Sequence, residues 1–192
     1  LENHQSHPHY YNAPVPSFGD LSARLLIVGL APGLSGANAT GRPFTGDYAG
    51  LVLYPALIRR GLASGNYGAR PDDGLQLVDT RITNTVRCVP PQNKPTTQEI
   101  RTCRDFLAQE IAAMPNLEVV LTLGKIAYDT TLGVLGGTLK NAPFAHAQVV
   151  QQGRYTLVVS YHTSRYNINT GRLTEGMFDD IMKTVAAKMM KN

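Results

Sequence analysis

Two loops and one cysteine pair hold the residues whose types and spacing could do chemistry. The first loop lies between Gly29 and Gly50 and contains one carboxylate, Asp47, the candidate there for polarising a water. Gly33, Gly36, Gly41 and Gly46 free backbone amides to approach a phosphate or a base closely. Phe44 is an aromatic in a flexible polar loop, where a planar ligand could stack. The bland reading has even standing: glycines as turns, Phe44 as a core plug, Asp47 as the cap of a following helix. Neither Gly-x-Gly-x-x-Gly nor Gly-Lys-Ser/Thr is present, so the common nucleotide fingerprints do not fit.

The second loop reads His162-Thr-Ser-Arg-Tyr-Asn-Ile-Asn-Thr-Gly-Arg172. Ser164, Arg165 and Arg172 suit phosphate contacts, Asn167 adds an amide, and His162 could probe a base edge. Tyr166 could wedge into a base stack. The competing reading is a solvated polar loop. The third segment runs from Asn84 to Cys103. A thiolate pair such as Cys88 and Cys103 can ligate iron or zinc, but a complete site needs four ligands. On spacing alone, two buried thiols is the preferred reading.

The elements that must position these residues alternate between strand and helix. Arg24–Leu30 is a continuous apolar strand suited to the middle of a parallel sheet. Residues 31–50 form a long loop, of the kind that is usually functional. A helix follows over Leu51–Arg60, then a loop-like stretch to 78 and a strand over Asp79–Thr85. Thr96-Thr-Gln-Glu99 is a capping box opening a helix to about Met114. Leu117–Leu123 is a strand, Gly124–Leu135 a helix, Val149-Val150 a short edge strand and Tyr155–Tyr161 a strand. His162–Thr170 is a polar loop, and a last amphipathic helix begins at Leu173. This order predicts an α/β protein, a three-layer α/β/α sandwich around a mainly parallel four-stranded sheet. The loops at 31–50, 88–95 and 162–170 would then share the ligand-binding end of the sheet.

At 192 residues the chain reads as one domain, with residues 1–23 as an extended arm broken by Pro8, Pro14 and Pro16. With 43% hydrophobic residues it is globular rather than disordered. No apolar run spans a bilayer and no signal pattern opens the chain, so the expected location is the cytoplasm. A net charge of +4 suits a polyanionic partner without requiring one. Two cysteines do not make a secreted disulfide framework.

Together, four segments resemble the uracil-DNA glycosylase superfamily, specifically its family 5 (type b) enzymes. They are Gly29-Leu-Ala-Pro-Gly33, Thr40-Gly-Arg-Pro-Phe-Thr-Gly-Asp47, Val86-Arg-Cys-Val-Pro-Pro-Gln-Asn-Lys-Pro95 and Thr170-Gly-Arg-Leu-Thr174. The resemblance runs from about Pro14 to Phe178. It implies hydrolysis of the N-glycosidic bond of uracil, and of other deaminated bases such as hypoxanthine, in base-excision repair. Ala31 stands where related families place a polar residue that activates water, which implies Asp47 as the catalytic carboxylate. The resemblance further implies Phe44 stacking on the base, Asn93 in the active-site loop and His162 near the leaving base. Amides from Leu30 through Ala31 to Gly33 would bind the base alongside them. The expected partner is double-stranded DNA, with single-stranded DNA as a second form, acted on by a monomer.

Two departures touch the loops: Ala39 replaces the usual Arg, and Thr163 follows His162 in place of Pro or Val. The family also holds a [4Fe–4S] cluster on four cysteines. Cys88 and Cys103 match the third and fourth, and the first two would lie upstream of Leu1. The rival readings are a catalytically silent module that binds damaged DNA and a nucleotide-binding protein on a similar sheet.

Overall fold

A computed structural model describes residues 2–190. In chain order its elements are α1 (Glu2–Ser6), β1 (Leu25–Gly29), α2 (Ala37–Thr40), α3 (Tyr48–Arg59), β2 (Ala63–Ser64), β3 (Gln76–Leu77) and β4 (Thr80–Asn84). A 3-10 turn at Pro91–Asn93 leads to α4 (Thr97–Ala112), β5 (Val119–Leu123), α5 (Lys125–Val134), β6 (Val149–Gln152), β7 (Tyr155–Ser160), α6 (Arg165–Asn169) and α7 (Glu175–Met189).

The central sheet has the order β4-β1-β5-β7-β6. Its first four strands are parallel, with Ile27 beside Ile82 and Leu121, and Leu121 beside Val158. β6 adds an antiparallel edge through Val149 opposite Val158. The expected sandwich is therefore present, with one antiparallel strand beyond the four expected. Strands buried on both faces read as unbroken apolar runs, and β1 and β5 are buried along their whole length.

Alternation along β1 divides the core. Leu25 and Ile27 face α3 and α7, packing with Leu53, Leu57, Phe178 and Val185. Leu26 and Val28 face α4 and α5, packing with Leu107, Ile111, Tyr128 and Leu132. These are the two interfaces of a three-layer arrangement.

Local signals explain several boundaries. The capping box forms: Thr96 Oγ1 accepts from the Glu99 amide at 3.2 Å, and Glu99 Oε2 accepts from the Thr96 amide at 2.6 Å. Five expectations are corrected. The arm is not wholly extended, because α1 forms within it. Residues 31–50 contain α2, and α3 begins at Tyr48 rather than Leu51, since Asp47 supplies a cap. The stretch between 62 and 78 closes into the β2–β3 hairpin. The polar loop after β7 carries α6, started by Ser164 accepting from the Asn167 amide at 3.3 Å. No described helix is long and apolar enough to cross a membrane.

Candidate active site

The connections out of β1 and β5 create the opening. The chain leaves β1 for α3 on one face of the sheet, and leaves the adjacent β5 for α5 on the other. Loops that part in this way leave a crevice beyond the C-terminal strand ends. A cavity of about 430 Å³ opens there. Its lining includes Leu30, Ala31 and Gly33 from the loop after β1, Asp47 at the start of α3, and His162 beyond β7. That volume is within the range of small-molecule sites.

Asp47 serves two structures at once. Its Oδ1 accepts from the Gly50 amide at 3.2 Å and so caps α3. Its Oδ2 lies toward Gly33 and Gly36, where a Cβ on Gly36 would come within 2.6 Å of it. The close approach of the carboxylate thus leaves no room for a side chain at Gly36. Burial pushes the Asp47 carboxyl up from its ordinary value, and the amides of Gly50 and Ala49 oppose that shift by stabilising the anion.

His162 sits against Gly124 at the end of β5, where an added Cβ would come within 3.3 Å of the His162 Cβ. Asn167 donates to the His162 carbonyl at 2.8 Å and fixes the turn into α6. Burial pushes the imidazole down to about 4, so the ring is neutral near pH 7. A neutral imidazole offers one N–H donor and one acceptor.

Phe44 is buried, at 5% exposure, with φ of 55°. It belongs to the core on the α3 side, so part of the core-plug reading holds. Its ring nonetheless lies 6.1 Å from the His162 ring, with 25° between planes. Asn93, exposed and also left-handed at φ 56°, reaches the cavity from the loop beyond β4. Ser164 and Arg165 line the mouth, and the Arg165 guanidinium covers the Tyr48 ring at 5.2 Å. Tyr166 points outward at 70% exposure. Arg172 is exposed, stacked over Tyr161 at 4.9 Å, and is not among the cavity-lining residues.

Sequence reasoning passed over Tyr48 and Asn84. Tyr48 lines the cavity beside Asp47. Asn84 ends β4, is 6% exposed, and converges with Phe44 on Gly29: a Cβ there would meet Asn84 Oδ1 at 2.4 Å and Phe44 Cζ at 2.5 Å. The usable signal was an amide as the last residue of a buried strand, at the sheet end where ligands bind.

The cysteines are not buried core thiols. Cys88 is exposed and Cys103 half-buried. They are near neighbours: burial raises the Cys88 thiol first, and a Cys103 thiolate raises it further. Among the described residues no group of three or more His, Cys, Asp or Glu could hold a metal ion. Two thiols fit half of a four-ligand set and do not complete one.

Fold and site together define an α/β protein with a cavity at the C-terminal ends of its parallel strands, lined by a carboxylate and an imidazole. A model of the Uracil DNA glycosylase superfamily matches residues 16–186. The chain is 45% identical over 174 residues to the Type-5 uracil-DNA glycosylase of Thermus thermophilus, covering 90% of this chain and 79% of that one. It is 40% identical over 178 residues to the Type-5 uracil-DNA glycosylase of Pyrobaculum aerophilum, covering 93% and 77%. A Type-4 uracil-DNA glycosylase of the same organism is 35% identical over 128 residues, covering 66% and 57%. The chain belongs to the uracil DNA glycosylase superfamily.

Proposed function

We infer that this protein hydrolyses the N-glycosidic bond of uracil in DNA, as a base-excision repair enzyme. The observation that carries the reading is the cavity at the parting of the β1 and β5 connections, lined by both Asp47 and His162. A base in a duplex must leave the stack to enter such a cavity, at a cost of about a few kcal/mol. Cleavage builds positive charge on the sugar and negative charge on the departing base. Asp47 orients a water and stabilises the cationic sugar. The neutral His162 and the amides from Leu30 to Gly33 face the anion on the base. Phe44 packs against the ring, Asn84 and Asn93 supply amides to its edge, and Tyr166 enters the space that the base leaves.

The finer assignments belong to the same proposal. The substrate is double-stranded DNA, with single-stranded DNA and hypoxanthine as further substrates. Ser164, Arg165, Asn167 and Arg172 contact the backbone. The protein acts as a monomer in the cytoplasm. Cys88 and Cys103 would supply two of the four ligands of a [4Fe–4S] cluster. Through such a group, Cys88 and Cys103 would join the segment after β4 to α4.

The test is a panel of duplexes holding uracil, hypoxanthine or xanthine, read by alkaline cleavage at the abasic site. Release of uracil is expected. Tight binding to the uracil duplex without release would instead mark a silent reader of damage. Visible absorption and iron analysis of the same preparation test the cluster, with about four irons per chain expected.

A further inference from the structure

Behind the Asp47 loop lies an ion pair that does not border the cavity. Arg42 Nη1 and Nη2 donate to the two oxygens of Asp73, each at 2.8 Å. The side chains are only 7% and 3% exposed. The third arm is used as well, with Arg42 Nε donating to Thr45 Oγ1 at 2.8 Å. The guanidinium carbon sits 5.2 Å from the Phe18 ring, 5.5 Å from Tyr54 and 6.0 Å from Tyr67. Asp73 is anchored in turn by the amides of Gly68 and Leu75, at 2.8 and 3.1 Å.

Two hydroxyls extend the grip to the loop backbone. Tyr54 Oη donates to the Pro43 carbonyl at 2.6 Å, and Tyr67 Oη donates to the Phe44 carbonyl at 3.0 Å. The first turn of α3 closes on the same point: a Cβ on Gly50 would meet the Phe44 carbonyl oxygen at 1.7 Å and Tyr67 Oη at 2.3 Å. Gly50 is also the residue whose amide caps to Asp47. The β2–β3 hairpin, which carries Tyr67 and Asp73, therefore holds residues 42–45 from behind and presents Asp47 in front.

We propose that Arg42 and Tyr67 are positioning residues for Asp47, and that with Asp73 they make the β2–β3 hairpin a remote clamp setting the carboxylate's place in the cavity. The inference rests on the reading of Asp47 given above. A buried bidentate fork suits this task because its geometry tolerates neither rotation nor a lysine in its place. Ordinary core packing could fill the same volume without tying three separate backbone segments together.

The test is a mutant cycle under single-turnover conditions on a uracil duplex, with DNA affinity and thermal midpoint measured alongside. Arg42→Lys and Tyr67→Phe are each made in the wild-type and the Asp47→Asn backgrounds. In the wild-type background each should lower the rate by about tenfold while the DNA Kd stays within about twofold. In the Asp47→Asn background the same changes should cost less than about twofold, because the group they position is gone. Tyr67→Phe deletes one hydroxyl and keeps the ring stacked on Tyr54 at 4.6 Å, so it carries the test if Arg42→Lys does not fold. Unchanged rates in the wild-type background overturn the clamp, as do equal losses in both backgrounds, which would mark general destabilisation. A wild-type enzyme that releases no base overturns the reading of the site and this inference with it, whereas an active wild type with additive losses overturns the clamp alone.

Discussion

Asp47 and His162 face the same cavity, and burial acts on them in opposite senses of charge. It raises the carboxyl of one and lowers the imidazole of the other, so both neutral forms are favoured. Only the carboxylate has amides arranged to hold its charge. The histidine makes a clear pH prediction. Its folded value of about 4 lies below the ordinary 6.5, so the unfolded chain binds a proton that the folded chain refuses. The stability due to the neutral ring is fully present above about pH 6.5 and is lost as pH falls toward about 4, to a total of about 3 kcal/mol. The urea midpoint of wild type should therefore fall relative to that of His162→Gln as pH drops from about 6.5 toward about 4; parallel curves would contradict the burial of the ring. At this scale the sequence was informative where a residue type was rare in its setting. Asp47 is the single carboxylate of its loop, and His162 follows a strand. Phe44 was legible only as an alternative between stacking and core, because burial of a loop aromatic depends on what closes over it. Asn84 was legible only as an amide ending a strand, since nothing in the strand's own pattern says that it will meet a distant phenylalanine.

The loop after β1 holds its carboxylate against a glycine, and this contact can be tested without touching a charged group. Gly36 has φ of −100° and ψ of −115° and packs directly against the carboxylate. Its added methyl would lie 2.6 Å from Asp47 Oδ2 and 2.9 Å from Asp47 Cβ. Gly36→Ala should displace the carboxylate and lower the single-turnover rate by about tenfold, with little change in DNA affinity. A wild-type rate in Gly36→Ala would show that the carboxylate's position is not critical. The long elements were readable because their periods are strong and their ends are marked, as at the Thr96–Glu99 capping box. The short ones were not. α6 has five residues rich in asparagine, which pattern reasoning assigns to loops; it persists because Ser164 caps it and Asn167 ties it back to His162. The β2–β3 hairpin has two residues per strand and is held by side chains such as Asp73 rather than by any alternation.

For the whole molecule, the parallel sheet was legible from the apolar runs of β1 and β5, and the placement of the site followed from where the connections part. The extra antiparallel strand was visible only as Val149-Val150, because an edge strand half open to water carries a weak pattern. The charge of +4 acquires meaning once Arg165 and Arg172 are found beside the cavity mouth and in the segment after α6, each stacked on a tyrosine, with no acidic partner among the described residues. Replacing either with alanine should reduce the slope of log affinity against log salt by about one, with similar effects on damaged and undamaged duplexes. An unchanged slope would place the DNA elsewhere on the surface. The central claim is that this cavity cleaves a glycosidic bond through Asp47. It is tested most directly by the single-turnover rate of uracil release from a duplex by wild type and by Asp47→Asn. Wild type should release uracil, and Asp47→Asn should do so at a rate at least about tenfold lower, with DNA binding intact. Equal rates, or no release by the wild-type enzyme, would contradict it.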